Sequence, residues 1–192
     1  MKKKVVVVAY DPSWPQLFEQ LKAVYEQSLG DLLTDIQHVG STSVPGLAAK
    51  PIIDIDLVVE NEVKKQVAII RLRSLGYTHV GDLGITGREV FKKTHGKMPF
   101  NNTSNLWPAH NLYMCIEGAP PLLNHLYFRD YLRAHPEMAK KYGTLKTDLA
   151  MAYRENIDGY IEHKTTFIID VLQKAGFPQA ELDAIIKQNK AK

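Results

Sequence analysis

The sequence predicts an α/β fold in which residues 1–119 build a sheet and residues 120–192 form a helical half packed on it, as one compact unit. Three observations predict it. Short apolar runs rich in Val and Ile alternate with segments of helical period as far as Ile116. From Pro120 onward only the helical period persists. Between the first two core strands lies a Gly-Ser turn, and the second of those strands carries two aspartates one residue apart.

Each element has its own local reason. Residues 1–10 read as an edge strand: the apolar run after three lysines is too short for a signal peptide, and no small-residue cleavage pattern follows. Pro15 suits the first turn of a helix with Ser13 as N-cap, and Leu17, Leu21, Val24, Tyr25, Ser28 and Leu29 carry it to Gly30. Residues 35–39 and 51–59 are core strands. Residues 61–75 predict a helix with Val63, Val67, Ile70 and Ser74 inward and Gly76 closing it. Residues 77–80 and 88–93 form a hairpin, 94–109 a long loop rich in Asn, Pro, Gly and Ser, and 111–116 a strand. Then come a helix over 122–134 stopped by Pro136, one long helix or two over 137–173 with a break near 156–159, and a short helix over 178–190.

Composition narrows the function. A length of 192 residues suffices for a sizeable core, and the apolar and charged fractions are those of a soluble globular protein. A net charge of +3 makes no case for nucleic acid. A single cysteine, Cys115, excludes an internal disulfide framework, suits a reducing cytoplasm and reads as a buried thiol. No segment approaches the ~20 apolar residues of a membrane helix, so the expected location is the cytoplasm.

The chemistry concentrates between His38 and Leu57. Strand alternation places Asp54 and Asp56 on one face, roughly 6–7 Å apart along the strand. Like charges that close repel unless a cation lies between them, and Mg²⁺ (or Mn²⁺) takes one or two carboxylates plus substrate phosphates. Gly40 and Ser41, opening what reads as a helix, would offer backbone N–H groups to those phosphates. The competing reading makes Ser41 or Thr42 an ordinary N-cap and the aspartates structural. Ser43 is in no Gly-x-Ser-x-Gly elbow, which removes a serine hydrolase, and the histidines show no zinc spacing. Lys50, Arg88, Lys92, Arg129, Arg133, Lys146 and Lys164 are the cations available to phosphate. His125, Arg129 and Arg133 recur at helical spacing, as do Tyr160 and Lys164. Among these the Arg129/Arg133 pair suits bidentate phosphate contact, and Asp130 offers the alternative of a structural ion pair.

A Gly-Ser turn followed by an Asp-x-Asp strand resembles the signature of the nucleotidyltransferase superfamily. With residues 10–15 (Tyr-Asp-Pro-Ser-Trp-Pro) and 127–136 (Tyr-Phe-Arg-Asp-Tyr-Leu-Arg-Ala-His-Pro), the chain is similar to the GrpB family from about Val7 to Leu172. The resemblance implies a nucleotidyltransferase-like mixed sheet and no particular reaction. In that superfamily a third carboxylate comes from a later core strand. The equivalent strand here, 111–116, has His110, Asn111 and Tyr113 and no mid-strand acid, leaving His110 as the expected base or third ligand.

The expectation is therefore a cleft with Mg²⁺ on Asp54 and Asp56, a nucleoside triphosphate over Gly40 and Ser41 reached by Lys50, Arg129 and Arg133, and nucleotidyl transfer to a small-molecule acceptor. The alternative is a nucleotide-binding or regulatory module without turnover, linked to coenzyme A metabolism through GrpB-like domains fused to dephospho-CoA kinase. The nucleotide, the acceptor and the oligomeric state are not legible.

Overall fold

The computed structural model describes residues 5–94, 96–101 and 106–190. Its elements run α1 (Trp14–Leu29), β1 (Leu33–Val39), β2 (Ile53–Val59), α2 (Glu62–Ser74), β3 (Thr78–His79), β4 (Arg88–Lys92), β5 (His110–Ile116), α3 (Pro120–Ala134), α4 (Pro136–Ala152), α5 (Ile157–Lys174) and α6 (Gln179–Lys190). The α/β class is as expected: five strands form one mixed sheet, and the chain is helical from Pro120 onward. Two compact units divide the chain, residues 13–39 with 52–123, and residues 1–12 with 40–51 and 124–192.

The first unit holds the sheet, in the order β1-β2-β5-β4-β3. The central pair β2 and β5 is parallel, and every other neighbouring pair is antiparallel. One face of β2 is Ile53, Ile55, Leu57 and Val59, all at most 1% exposed, and it meets the buried stripe Phe18, Leu21, Tyr25 and Leu29 of α1. Phe18 stacks on His38 of β1 with ring centroids 4.7 Å apart.

Helix α2 corrects one expectation. Its inner residues are Ala68, Ile69 and Leu72, whereas Val63 and Ile70 are 75% and 65% exposed. The expected stripe keeps its helical spacing and faces the wrong way. Asn61 caps this helix, its Oδ1 accepting from Lys64 N at 3.0 Å.

The same side of the sheet carries a buried polar chain. Tyr25 Oη lies 2.7 Å from Tyr77 Oη, which lies 2.5 Å from His110 Nε2. His110 Nδ1 lies 2.9 Å from Pro108 O and 3.3 Å from Lys93 Nζ. Buried polar groups so paired cost little; unpaired they cost a great deal.

The second unit is helical. Val44, Leu47, Leu132, Met138, Ala139, Tyr142 and Val171 form one core cluster, and Val5, Leu149, Ala150 and Tyr160 another. Of the expected N-terminal edge strand, residues 1–4 lie outside the described residues, and the described part makes a single antiparallel bridge, between Val8 and Ala49, outside the sheet. Ser13 precedes α1 without a side-chain cap bond, and Pro15 is in the first turn as expected. The break in the long helical stretch is real and falls between Ala152 and Ile157, where Asn156 caps α5 by accepting from Gly159 N at 3.1 Å. Part of the expected 94–109 loop, His95 and residues 102–105, lies outside the described residues. Among the described residues, no helix is long and apolar enough to cross a membrane.

Candidate functional site

Register decides which residues share a face with the aspartate pair. Asp54 is opposite Val39 on β1 and Asn111 on β5, and Asp56 is opposite Gln37 and Tyr113. Tyr113 is in turn opposite Val90 of β4, and Arg88 is opposite Cys115. Asp54, Asp56, Asn111, Tyr113 and Arg88 therefore line the face away from α1 and α2. Three observations agree with that placement. Asn111 Nδ2 donates to Asp54 Oδ1 at 2.8 Å. The Arg88 guanidinium carbon lies 4.7 Å from the Tyr113 ring centroid. Burial, and after it the charge of Asp54, pushes the Tyr113 hydroxyl well above its ordinary pKa; Arg88 opposes the shift and Asp56 adds to it. The phenol stays protonated throughout the physiological range.

The two aspartates differ in surroundings. Asp56 is 0% exposed, whereas Asp54 is part-exposed. A carboxylate buried that deeply needs compensating positive charge or donors. The positive charge of Arg88 acts on the same two groups, Tyr113 and Cys115, that the charge of Asp56 acts on.

His110 is not part of this constellation. It pairs in register with Ile53, one residue out of phase with Asp54, so its ring turns to the other face of the sheet, into the chain with Tyr77 and Tyr25. The residue expected as base is thus buried on the opposite face of the sheet, and its neighbour Asn111 takes the place beside the aspartate pair. Among the described residues, no group of three or more His, Cys, Asp or Glu side chains is arranged to hold a metal. Two carboxylates and an amide fit a hard cation that draws its remaining ligands from phosphate and water; they do not fit an all-protein cage.

The phosphate-binding expectations fall in the other unit. Gly40 is left-handed at φ 69°, which favours glycine there, and Ser43 Oγ donates to Gly40 O at 2.6 Å. The expected helix after this turn is a single 3₁₀ turn over Ser41–Ser43. Pro45 is the reason: it holds Val44 extended, so no helix can run through it. Arg133 donates through Nε and Nη2 to Ser43 O at 3.0 and 2.8 Å, which fastens α3 to the turn. Arg129 forms a two-point pair with Asp130, at 2.7 and 3.1 Å. Asp130 thus pairs closely with Arg129 and lies 3.9 Å from Arg133 Nη1, whose shorter contacts are to Ser43 O. Lys50 Nζ lies 4.4 Å from the Tyr160 ring centroid.

The Arg133 clamp has a measurable consequence. Replacing Arg133 with Ala is expected to cost about 1–2 kcal/mol, the low end for a charged donor because the side chain is part-exposed. Hydrogen exchange of the backbone amides from Ser43 to Leu47 should quicken more than that of α5. Uniform quickening across the unit would contradict a local clamp. Arg133→Lys, which cannot make the forked contact, should behave nearly as Ala does.

The comparisons place the chain in a family. A profile described as GrpB protein matches residues 4–174. The glutamate-rich protein GrpB of Alkalihalophilus pseudofirmus is 35% identical over 175 residues, covering 90% of this chain and 97% of that one. A crystal structure of the conserved protein GrpB from Enterococcus faecalis superposes with a TM-score of 0.75 at 35% identity, covering 88% of this chain and 96% of the other. Some relatives are longer. The chain spans 46% of YqkA of Bacillus subtilis at 36% identity and 45% of the dephospho-CoA kinase of Mycobacterium bovis at 26% identity, matching over 87% and 88% of its own length. With the profile running through both the Asp54/Asp56 strand and the α3 segment, the chain belongs to the GrpB family.

Proposed function

We propose that the chain binds a nucleoside triphosphate together with Mg²⁺ at Asp54 and Asp56, and that the reaction it supports is transfer of a nucleotidyl group to a small-molecule acceptor. The observation that carries this reading is the pair itself: two carboxylates on one face of a central strand, one of them fully buried, with the Asn111 amide on Asp54. A divalent cation there would neutralise phosphate charge and act as a Lewis acid on the phosphoryl group. Asp54 and Asp56 would ligate it, and Asn111 would orient Asp54. Tyr113 would offer a proton that its raised pKa keeps in place.

A second reading, a nucleotide-binding module without turnover, is favoured by one observation. The β5 residues opposite the pair are Asn111 and Tyr113, neither of which can serve as the third acid of a two-metal centre. The likeness to part of a dephospho-CoA kinase makes dephospho-CoA a ligand to include in the test.

The experiment is a thermal-shift titration of wild type and Asp54→Asn with ATP, GTP, CTP, UTP and dephospho-CoA, each with Mg²⁺, Mn²⁺ or EDTA. A ligand at a hundred times its dissociation constant stabilises by about 2.7 kcal/mol, several degrees for a chain of this size. The expected result is a metal-dependent shift in wild type that Asp54→Asn abolishes while folding normally. No shift with any nucleotide in wild type would sink both readings. A shift without pyrophosphate release in the presence of candidate acceptors would select the second.

A further inference from the structure

Helix α2 carries apolar residues on two opposite sides. Ala68, Ile69 and Leu72 are buried, whereas Val63, Val67 and Ile70 are 75%, 39% and 65% exposed. By helical rotation the centres of the two sets are about 180° apart, so the exposed set points away from the sheet. Val63, Val67 and Ile70 follow at steps of four and three, which makes one continuous strip about 10 Å long. Three β-branched residues are a poor choice for a solvated helix face, where Ala, Lys or Glu have the higher propensity. A helix that is apolar on both sides is suited to being covered on both.

The charges at the two ends of the strip differ in sign. Glu60 and Glu62 are exposed at its N-terminal end, and Arg71 and Arg73 are exposed at its C-terminal end. Glu62 and Arg73 are eleven residues apart, about three full turns, so they share one flank. The partners of Glu62, Lys65 Nζ and Gln66 Nε2 at 2.8 Å each, belong to its own helix. Among the described residues, the Arg73 side chain makes no hydrogen bond or ion pair. Lys64 and Arg71 share the other flank, with Lys64 paired to Glu60 at 2.9 Å and Arg71 Nη1 3.4 Å from Ser28 O and Leu29 O.

A second α2 laid antiparallel on this strip brings unlike ends together. With Val67 near the twofold axis, Val63 of one copy packs on Ile70 of the other, and Glu62 faces Arg73 along the shared flank. The Glu60–Lys64 pair meets Arg71 along the other. Parallel pairing would instead gather Arg71 and Arg73 of both copies at one end, where they repel.

We propose that the outer face of α2 is an interface with a second copy of this chain, the two α2 helices pairing antiparallel about a twofold axis near Val67. A contact confined to one helix pair falls below the roughly 1,200 Å² of stable interfaces, so the dimer is weak and reversible. The proposal does not rest on the reading of Asp54 and Asp56.

The test is sedimentation equilibrium of the full chain from about 5 to 500 μM, the range in which a contact of this size associates. Wild type should pass from monomer to dimer across that range. Ile70→Glu should stay monomeric, and at the lowest concentration its urea midpoint should equal or exceed that of wild type, because Glu is the better helix former. Glu62→Arg and Arg73→Glu should each weaken association about tenfold. The double variant Glu62→Arg/Arg73→Glu should recover most of it, which a merely structural effect of either change would not do. Val67→Cys should form a disulfide dimer under mild oxidation. Val63→Cys should not, because its two copies lie about 10 Å apart along the helices. Cys115 is fully buried and does not interfere. Wild type that is monomeric at every concentration overturns the proposal and leaves the strip to a partner of another kind. A dimer that Ile70→Glu leaves intact overturns it too, as does crosslinking through Val63→Cys in place of Val67→Cys.

Discussion

Between pH 6.5 and pH 4 the protein is expected to lose about 3 kcal/mol of stability through His110 alone. The pKa of this imidazole is lowered from 6.5 to about 4, first by burial and then by the charge of Lys93, with the Pro108 carbonyl partly opposing. The folded state therefore holds the neutral ring where the unfolded chain would already be protonated. Because the folded pKa is the lower one, the penalty is absent above the unfolded value of 6.5. It grows as the pH falls and is complete once the folded pKa has been passed. The geometry explains the direction. A neutral ring can accept from Tyr77 or donate to it, but an imidazolium presents N–H donors on both sides, one of them 3.3 Å from the Lys93 ammonium. Urea denaturation at pH 7, 6, 5 and 4.5 measures the loss. His110→Gln, which keeps an acceptor for Tyr77 and does not titrate, should flatten the dependence relative to wild type, since contributions from carboxylates are common to both. Parallel pH profiles for the two proteins would rule His110 out as the source.

The second large effect is expected at Gly76. This residue closes α2 with φ 97°, Gly76 N bonding to Arg73 O and Tyr77 N to Leu72 O, the paired bonds of a Schellman cap. A Cβ added there would come within 2.5 Å of Phe100 Cε2 and 2.7 Å of Cδ2. Phe100 is exposed and can swing aside, but the backbone angle cannot relax without opening the cap. Gly76→Ala is expected to cost about 2–4 kcal/mol, seen as a lower urea midpoint with unchanged slope. The cap also aims Tyr77 at Tyr25 and His110, so the same variant should flatten part of the pH dependence just described. A loss below about 1 kcal/mol would mean that the cap rearranges freely.

These two residues also mark the limits of what the chain discloses. Gly76 was legible as a helix stop because its signal is local: a glycine directly after a run of helical period. The common face of Asp54 and Asp56 was legible for the same reason, since alternation along one strand involves no distant partner. The side on which His110 falls was not. That depends on the register of β5 against β2, strands more than fifty residues apart in the chain, and a shift of one residue moves a side chain to the opposite face. Helix α2 failed in a related way. Val63, Val67 and Ile70 keep a good helical spacing, but Ala68, Ile69 and Leu72 keep one as well, and only the sheet decides which set it covers. The helix expected after Ser41 could have been refused from the sequence, because Pro45 is close enough to forbid it. The pairing of Lys50 with Tyr160 had no local signal, as it joins residues 110 positions apart.

Cys115 sits in β5, the central strand that runs alongside β2, and it is 0% exposed. Burial, followed by the charge of Asp56, holds its thiol far above the ordinary cysteine pKa. Thiolate is the reactive species, so alkylating reagents and oxidants meet an inert group for as long as the sheet is closed. The chain thus contains one natural chemical stopwatch. Under excess reagent, the rate at which Cys115 is modified counts how often the middle of the sheet comes apart, with no label or engineered probe needed to read it.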